Sequence, residues 1–338
     1  MSEARKVKIL VLINKIWVYI KHQPKMDMIR ALEKYADVEY WHESGDIREI
    51  LAGLDHRPDF IFHYDIAWRY GLAPKITGLG QVDIPKGCYV IDVDWKPEER
   101  RKYFDENKVD MIFSATKHPF LQLFPQYSER LCWWPWAINP AVMKDWKEKK
   151  DIDTLLMGLV YIEDKSRLPA DKSPKAMPVK GRYAFRDAVL ERMRTEPGFV
   201  YQPHPGHRVI ASAKNEEVLV NERYARELNR AKIFYTCGSR INAGGIAVLK
   251  FFEALACKTL LLAETNLEIA ELGFADQVHY VACTVDTFYE QTQYYLKNEA
   301  ERQRISQAGY EFIHRHHTID QRAIQMIEAI KEKCQIRL

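Results

Sequence analysis

The sequence predicts an α/β protein built from two doubly wound, Rossmann-like domains facing across a cleft. Three observations lead there. Short apolar runs recur along the chain: Lys8–Ile13 (KILVLI), Asp59–His63 (DFIFH), Gly87–Val93 (GCYVIDV) and Val109–Ser114 (VDMIFS). They are continuous rather than alternating, as strands buried on both faces must be. Helical periods separate them, so the strands are joined by crossovers and lie parallel. A polar stretch, 141–152 (AVMKDWKEKKDI), then interrupts the pattern before a new apolar run, Thr154–Val160 (TLLMGLV), restarts it.

At 338 residues the chain exceeds what one core usually holds. The expected division is an N-terminal domain over 1–148 and a C-terminal domain over 149–317. A last helix, about 318–338, would pack back on the first.

Within the first half, Pro24–Tyr35 and Pro97–Asn107 have helical periodicity behind a proline start. Val38–Trp41 reads as a strand, Ile47–Leu54 and Thr116–Leu123 as short helices, and Leu131–Ile138 as a last strand. In a doubly wound sheet, ligands lie beyond the C-terminal strand ends. Asn14, His63, Asp65, Asp94 and His118 fall there and are candidate cleft residues. Trp133, Trp134 and Trp136 suit either sugar stacking or wedging of the domain junction.

In the second half, Tyr183–Arg194 and Asn221–Arg230 read as helices, and Phe199–Gln202 and Lys232–Thr236 as strands. Residues 163–181 read as a loop, Val278–Val281 as a strand, and Thr284–Asn298, Glu299–His316 and Ile319–Lys331 as three amphipathic helices.

One stretch carries the chemistry: Asn242–Glu264 (NAGGIAVLKFFEALACKTLLLAE). Gly244 and Gly245 are expected to open a helix bearing Lys250 and Glu253, with the strand Thr259–Ala263 after it. A glycine-rich helix start presents free N–H groups and a positive dipole end to a phosphate. Glu253, between Phe252 and Ala254, is a charge among apolar neighbours and needs a partner or a ligand; ribose or sugar hydroxyls would serve. Ser239 and Arg240, just before the glycines, could complete an anion site. His204, in the turn PHPGH, could meet a phosphate or belong to a rigid proline turn.

The net charge of +3 implies no field for nucleic acid. No run of 18 apolar residues predicts a membrane span, and peripheral membrane contact stays open. The six cysteines form no C-x-x-C pair, which argues against zinc. Their wide spacing reads as reduced thiols in a cytoplasmic protein. The basic, apolar N-terminus imitates a signal peptide, but Asn14 and Lys15 break its apolar run, so it reads as a first strand.

The segments NERYARELNRAKIFYTCGSR, GGIAVLKFFEALACKTLLLAE, ELGFADQVHYV and YYLKNEAERQRISQAGYEFIHRHHTIDQR, within 217–331, resemble the C-terminal half of GT-B glycosyltransferases of the "glycosyl transferases group 1" type. The resemblance is to the branch of spore-maturation-like proteins, to which YVIDVDWKPEERRKYFDENKVDMIFSAT is also weakly similar. It implies transfer of a sugar from a nucleoside-diphosphate donor to a hydroxyl acceptor (a glycan, lipid-linked glycan, protein or small molecule). The donor is then a co-substrate, and neither cofactor nor metal is used. It implies an acceptor-side first domain and a donor domain in which Glu253 holds the ribose. Gly244, Gly245, Ser239, Arg240, His204 and Lys250 would bind the diphosphate.

An acceptor base would come from Asp94, Asp65, His63 or His118. Three departures stand out. Many retaining relatives carry a second glutamate where this chain has Gly245. The usual glycine after Ala-Cys is Lys258. An Arg/Lys pair after the domain's first strand has only Lys165 and Arg167 as its nearest equivalents. Two rival readings stay open: a sugar-nucleotide epimerase of the same fold, and a non-catalytic nucleotide-sugar-binding protein.

Overall fold

The computed structural model describes residues 5–67, 71–174, 177–206, 219–241 and 244–335, and the chain separates into two compact units. The first comprises Met1–Val18, Lys25–Pro135 and Ile319–Leu338; the second comprises Tyr19–Pro24 and Trp136–Thr318.

In chain order the first unit contains β1 (Lys8–Leu12), α1 (Gln23–Arg30) from Lys25 onward, β2 (Asp37–Trp41), β3 (Gly45–Asp46), α2 (Ile47–Ala52), β4 (Phe60–His63) and β5 (Ile76–Thr77). It continues with β6 (Lys86–Val90), α3 (Pro97–Glu106), β7 (Met111–Ser114), α4 (His118–Leu123) and β8 (Leu131–Trp133). Six of these strands form one parallel sheet in the order β2-β1-β4-β6-β7-β8, and β3 pairs separately with β5. β4 and β7 are buried at every position, as their unbroken apolar runs require. Asp46 caps α2 by accepting from Arg48 N. The stretch read as one strand over Leu131–Ile138 pairs only as far as Trp133. Trp134 is buried there, and its Nε1 donates to the carbonyl of Arg322 at 2.7 Å.

The second unit contains β9 (Ile152–Gly158), α5 (Ala184–Met193), β10 (Phe199–Pro203), α6 (Asn221–Arg230), β11 (Ala231–Thr236), β12 (Ser239–Ile241) and β13 (Gly244–Ile246). Then follow α7 (Leu249–Ala256), β14 (Leu260–Ala263), α8 (Leu267–Glu271), β15 (Val281–Ala282), α9 (Phe288–Lys297) and α10 (Glu299–His316). Its parallel sheet has the order β10-β9-β11-β14-β15. Helices α6 and α7 cover one face, with Leu228, Phe251, Phe252 and Leu255 in the core. Helices α5 and α9 cover the other, with Phe185, Val189, Leu190 and Phe288.

The last helix, α11 (Ile319–Lys333), belongs to the first unit. Arg322 Nε donates to the Pro135 carbonyl at 3.0 Å, and Lys34 pairs with Asp320 at 2.8 Å.

The polar stretch 141–152, whose charge and position between two apolar patterns suggest a linker, is pinned to the second unit. Met143 is buried in its core. Glu148 N donates to Asn229 Oδ1 at 2.9 Å. The Lys150 ammonium donates to the carbonyls of Ala231 and Lys258 and to Thr259 Oγ1. A charged residue of this polar stretch thus satisfies backbone carbonyls at the end of the sheet.

Candidate functional site

The second sheet reverses its direction of growth between β9 and β11. From β9 the chain passes to β10 on one side, and β11 lies on the other. The carboxyl ends of those two strands form the crevice where doubly wound sheets take ligands. Gly158 ends β9 with φ 137°, a conformation that favours glycine. A Cβ there would lie 3.3 Å from Arg186 Nη1 and 3.6 Å from Lys250 Cε. Two cationic side chains thus converge on a residue that has no side chain of its own.

Arg186 is on the first turn of α5 and shares a stripe with Val189, Leu190 and Met193, all buried. It is only 5% exposed. Nη2 donates to the Cys237 carbonyl at 3.0 Å, past the end of β11, and the guanidinium lies 4.5 Å from the Tyr183 ring centroid. Its Nε is buried without a hydrogen-bond partner. Among the described residues no carboxylate lies within ion-pair distance of it. A buried guanidinium in that state is costly, and an incoming anion would relieve it.

Lys250 is on the first turn of α7. Its Nζ donates to the Tyr224 hydroxyl at 3.2 Å and lies 4.9 Å from that ring's centroid. Tyr224 in turn donates to Glu253 Oε2 at 2.8 Å. Glu253 is 4% exposed, so its charge is buried and shared through this hydroxyl. Lys21, from the short segment Tyr19–Pro24 of the same unit, has its Nζ 5.6 Å from the Tyr224 ring centroid. Burial first, then repulsion from Lys21 and Arg186, brings the Lys250 ammonium down to about 7 against the pull of Glu253. The cluster holds more positive than negative charge and is organised to accept an anion with a polar neighbour.

The glycines do not open the helix. Gly244 and Gly245 lie on β13, paired antiparallel with β12, and α7 begins at Leu249 behind Val248, which makes no side-chain cap. Gly238 and Gly245 permit a close approach: a Cβ on Gly245 would sit 3.0 Å from Asn266 Cβ, and one on Gly238 2.8 Å from the Ile246 carbonyl oxygen. Asn266 occupies the space beside Gly245 and also caps α8 by accepting from Ile269 N. Ser239 and Arg240 lie on β12, and their side chains fall outside what the structure describes. His204 follows β10, half-buried, and its Nδ1 accepts from Gly206 N at 3.0 Å. His207 lies outside the described residues. Lys165 and Arg167 lie on a 3₁₀ turn, with Arg167 engaged by Glu191 and Asp164.

Of the four candidate bases, two are committed to the first unit's core. His63 is 1% exposed. Its Nε2 contacts the Pro74 carbonyl at 2.9 Å and its Nδ1 the Tyr103 hydroxyl at 2.6 Å. A carbonyl only accepts, so Nε2 carries the proton. Burial brings the imidazole down to about 4. Asp65 is fully buried, with Oδ1 accepting from Arg100 Nη1 and Ala67 N, and Oδ2 from Ile91 N. Asp94 is exposed and does not cap α3; Lys96, at φ 42°, holds the cap position. His118 begins α4 and is half-buried.

Sequence reasoning missed Arg186 and Tyr224. Each stands on a helix's apolar stripe, where it reads as part of the core. An arginine at the spacing of Val189, Leu190 and Met193 was the signal available.

Residues 186–328 match the family model described as glycosyl transferase-like. The match begins at Arg186 and takes in Tyr224, Lys250 and Glu253; it does not single out the spore-maturation-like branch. No curated protein matches the sequence significantly. Among solved structures, sucrose-phosphate synthase from Thermosynechococcus elongatus superposes with a TM-score of 0.60 at 10% identity, covering 97% of this chain and 99% of that one. A glycosyltransferase from Rickettsia africae gives 0.58 at 10% identity over 99% and 100%. HepE from Anabaena, in complex with UDP and glucose, gives 0.57 at 10% identity over 96% and 100%. At that identity the structural likeness speaks to the fold, and the family match to the domain that carries the site. Residues 186–328 are thus similar to the glycosyl transferase-like family, and the two-sheet α/β architecture of the chain is the GT-B fold.

Proposed function

We propose that the protein transfers a glycosyl group from a nucleoside-diphosphate sugar to a hydroxyl acceptor. The observation that carries this is the pair Arg186 and Lys250, converging on Gly158 with no carboxylate within ion-pair distance among the described residues. A diphosphate supplies the missing negative charge. Glu253, one turn from Lys250 along α7, is placed for ribose hydroxyls, as the family resemblance implies. HepE, of the same fold, is a protein whose structure holds UDP and glucose, and this supports a nucleotide sugar as the donor.

Bond breaking at the anomeric carbon leaves negative charge on the departing diphosphate. Two preorganised cations in a partly dry crevice stabilise that charge without reorganising. They take the part that a metal plays in other sugar transferases. On this reading transfer is metal-independent. The acceptor proton goes to a carboxylate, and Asp94, exposed beyond the end of β6, is the one of the four candidates shown both exposed and outside the core.

A thermal-shift panel of UDP, GDP, ADP and their common sugar conjugates tests the reading. One nucleoside diphosphate and its sugar should raise the melting temperature, since a ligand that binds only the native state stabilises it. Glu253→Ala should weaken that binding by calorimetry. If no nucleotide shifts the melting point, or Glu253→Ala binds the donor as well as the native chain, the assignment is wrong.

A further inference from the structure

We propose that Tyr224 is a positioning residue of the donor site, a hydroxyl spacer that keeps Lys250 and Glu253 apart so that each stays available to a different part of the ligand. This rests on the nucleotide-sugar reading above.

Lys250 and Glu253 are three residues apart on α7, the spacing at which a lysine and a glutamate on one helix face ordinarily pair. They do not pair. Tyr224, 3% exposed on the neighbouring α6, stands between them. Its hydroxyl donates to Glu253 Oε2 at 2.8 Å and accepts from Lys250 Nζ at 3.2 Å. A hydroxyl has one proton and two lone pairs, so giving the proton to the carboxylate leaves a lone pair for the ammonium. The direction of the chain is thereby fixed.

The groups that face Lys250 agree with this arrangement. On its own helix there is Glu253; from α6 there is the Tyr224 ring, and from β11 the Phe234 ring at 6.0 Å. Arg186 from α5 and Lys21 repel it. A direct ion pair with Glu253 would be the easiest way to relieve that repulsion. It would also close the carboxylate to ribose and cancel the charge meant for phosphate. The interposed hydroxyl holds both side chains in place while leaving their charges uncancelled.

Tyr224→Phe tests this because it keeps the ring and removes only the oxygen. Lys250 and Glu253 should then collapse into a direct pair. Calorimetry with inorganic pyrophosphate, and separately with uridine, adenosine or guanosine as the donor base requires, should show both affinities falling about three- to tenfold. The pH at which pyrophosphate affinity falls by half should move upward by a unit or more, since a carboxylate in contact favours the charged amine. A tyrosine of merely structural importance would lower the melting temperature and leave that pH unchanged. Unchanged affinities, or an unchanged pH midpoint, overturn the proposal. Should Tyr224→Phe fail to fold by circular dichroism, trifluorotyrosine at position 224 carries the test. It keeps the volume, and its poorer acceptor oxygen should move the midpoint downward; no movement overturns the proposal. If the native chain binds neither pyrophosphate nor any nucleoside diphosphate, it is the donor reading itself that has failed.

Discussion

The two units have the same kind of crevice at the carboxyl ends of their parallel strands, and they treat charge there in opposite ways. In the first unit three polar residues beyond β1 and β4 are answered from within. Asn14 Nδ2 donates to the Gly71 carbonyl, His63 is held by Pro74 and Tyr103, and Asp65 is paired with Arg100 and two backbone amides. In the second unit, beyond β9 and β11, Arg186 has a buried Nε with no partner, and Lys250 rests on a neutral hydroxyl. The first arrangement fastens strands and helix together. The second leaves positive charge unanswered, at a cost that makes sense where an anion is to bind.

The largest test of that contrast is on the first unit. Asp65→Asn leaves Arg100 buried without its carboxylate and should cost about 3–5 kcal/mol of stability, read by urea denaturation. Nucleotide affinity of the folded variant should stay unchanged. A fall in affinity with intact stability would put the anion site in the wrong unit.

Arg186→Met is the converse and should be smaller in free energy. It removes a buried charge that has no opposite partner, so the melting temperature should hold or rise. Nucleoside-diphosphate affinity should fall about 10- to 100-fold, equivalent to about 1.4–2.8 kcal/mol of binding. A variant that loses stability but not affinity would make Arg186 a structural arginine like Arg100.

The two crevices should also titrate on opposite sides of neutrality. His63 is lowered by burial from 6.5 to about 4, so between those values the unfolded chain binds a proton that the folded chain does not. Its contribution is present above pH 6.5 and is lost as the pH falls to 4. Lys250 is lowered by burial and by its cationic neighbours from 10.5 to about 7. Between pH 7 and 10.5 the unfolded chain again holds the extra proton, so the ligand-free protein gains stability as pH rises through that window. Anion affinity moves the other way, because only the charged amine attracts phosphate. Lys250→Met should flatten both alkaline trends, measured as the difference in melting temperature and in nucleotide affinity between pH 6.5 and 9. His63→Gln should flatten only the acid one.

Much of this was legible in the sequence, for identifiable reasons. KILVLI and DFIFH could only be strands buried on both faces, and β1 and β4 lie where those runs do. Lys250 and Glu253 were visible because charges on an apolar helix ask for partners. Arg186 and Tyr224 were not, since a stripe of helical period says which face is inward and not whether a polar member of it is satisfied. The glycine pair was read as a helix start because glycines before an apolar helix usually mean a phosphate loop. What decides otherwise is Asn266, more than twenty residues on, which fills the space beside Gly245 and holds it in a hairpin. Residues 141–152 read only as a polar interruption because their charges hide their contacts, yet Lys150 closes off the carbonyls of Ala231 and Lys258.

The smallest effects sharpen the contrast within the second unit, at two positions of its backbone. Gly245 lies on β13, close against Asn266. Gly245→Ala should cost about 1–3 kcal/mol, because the added carbon meets Asn266 Cβ at 3.0 Å. Pairing it with Asn266→Ala should recover most of that loss, and a cost that persisted would show strain in the hairpin itself. Lys258 lies just past the end of α7, at φ 56°. That left-handed conformation costs a residue with a side chain about 1 kcal/mol relative to glycine. The carbonyl of Lys258 accepts from Lys150, and its ammonium reaches Asp145 at 3.4 Å. A half-exposed pair of that length contributes a few tenths of a kcal/mol. Lys258→Gly keeps the carbonyl and frees the backbone, so it should stabilise the protein by about 0.5 kcal/mol in denaturant melts, with donor affinity unchanged. A loss of stability instead would mean that the Lys258–Asp145 contact outweighs the backbone term, and that the segment around Lys150 is held to this unit by its charges.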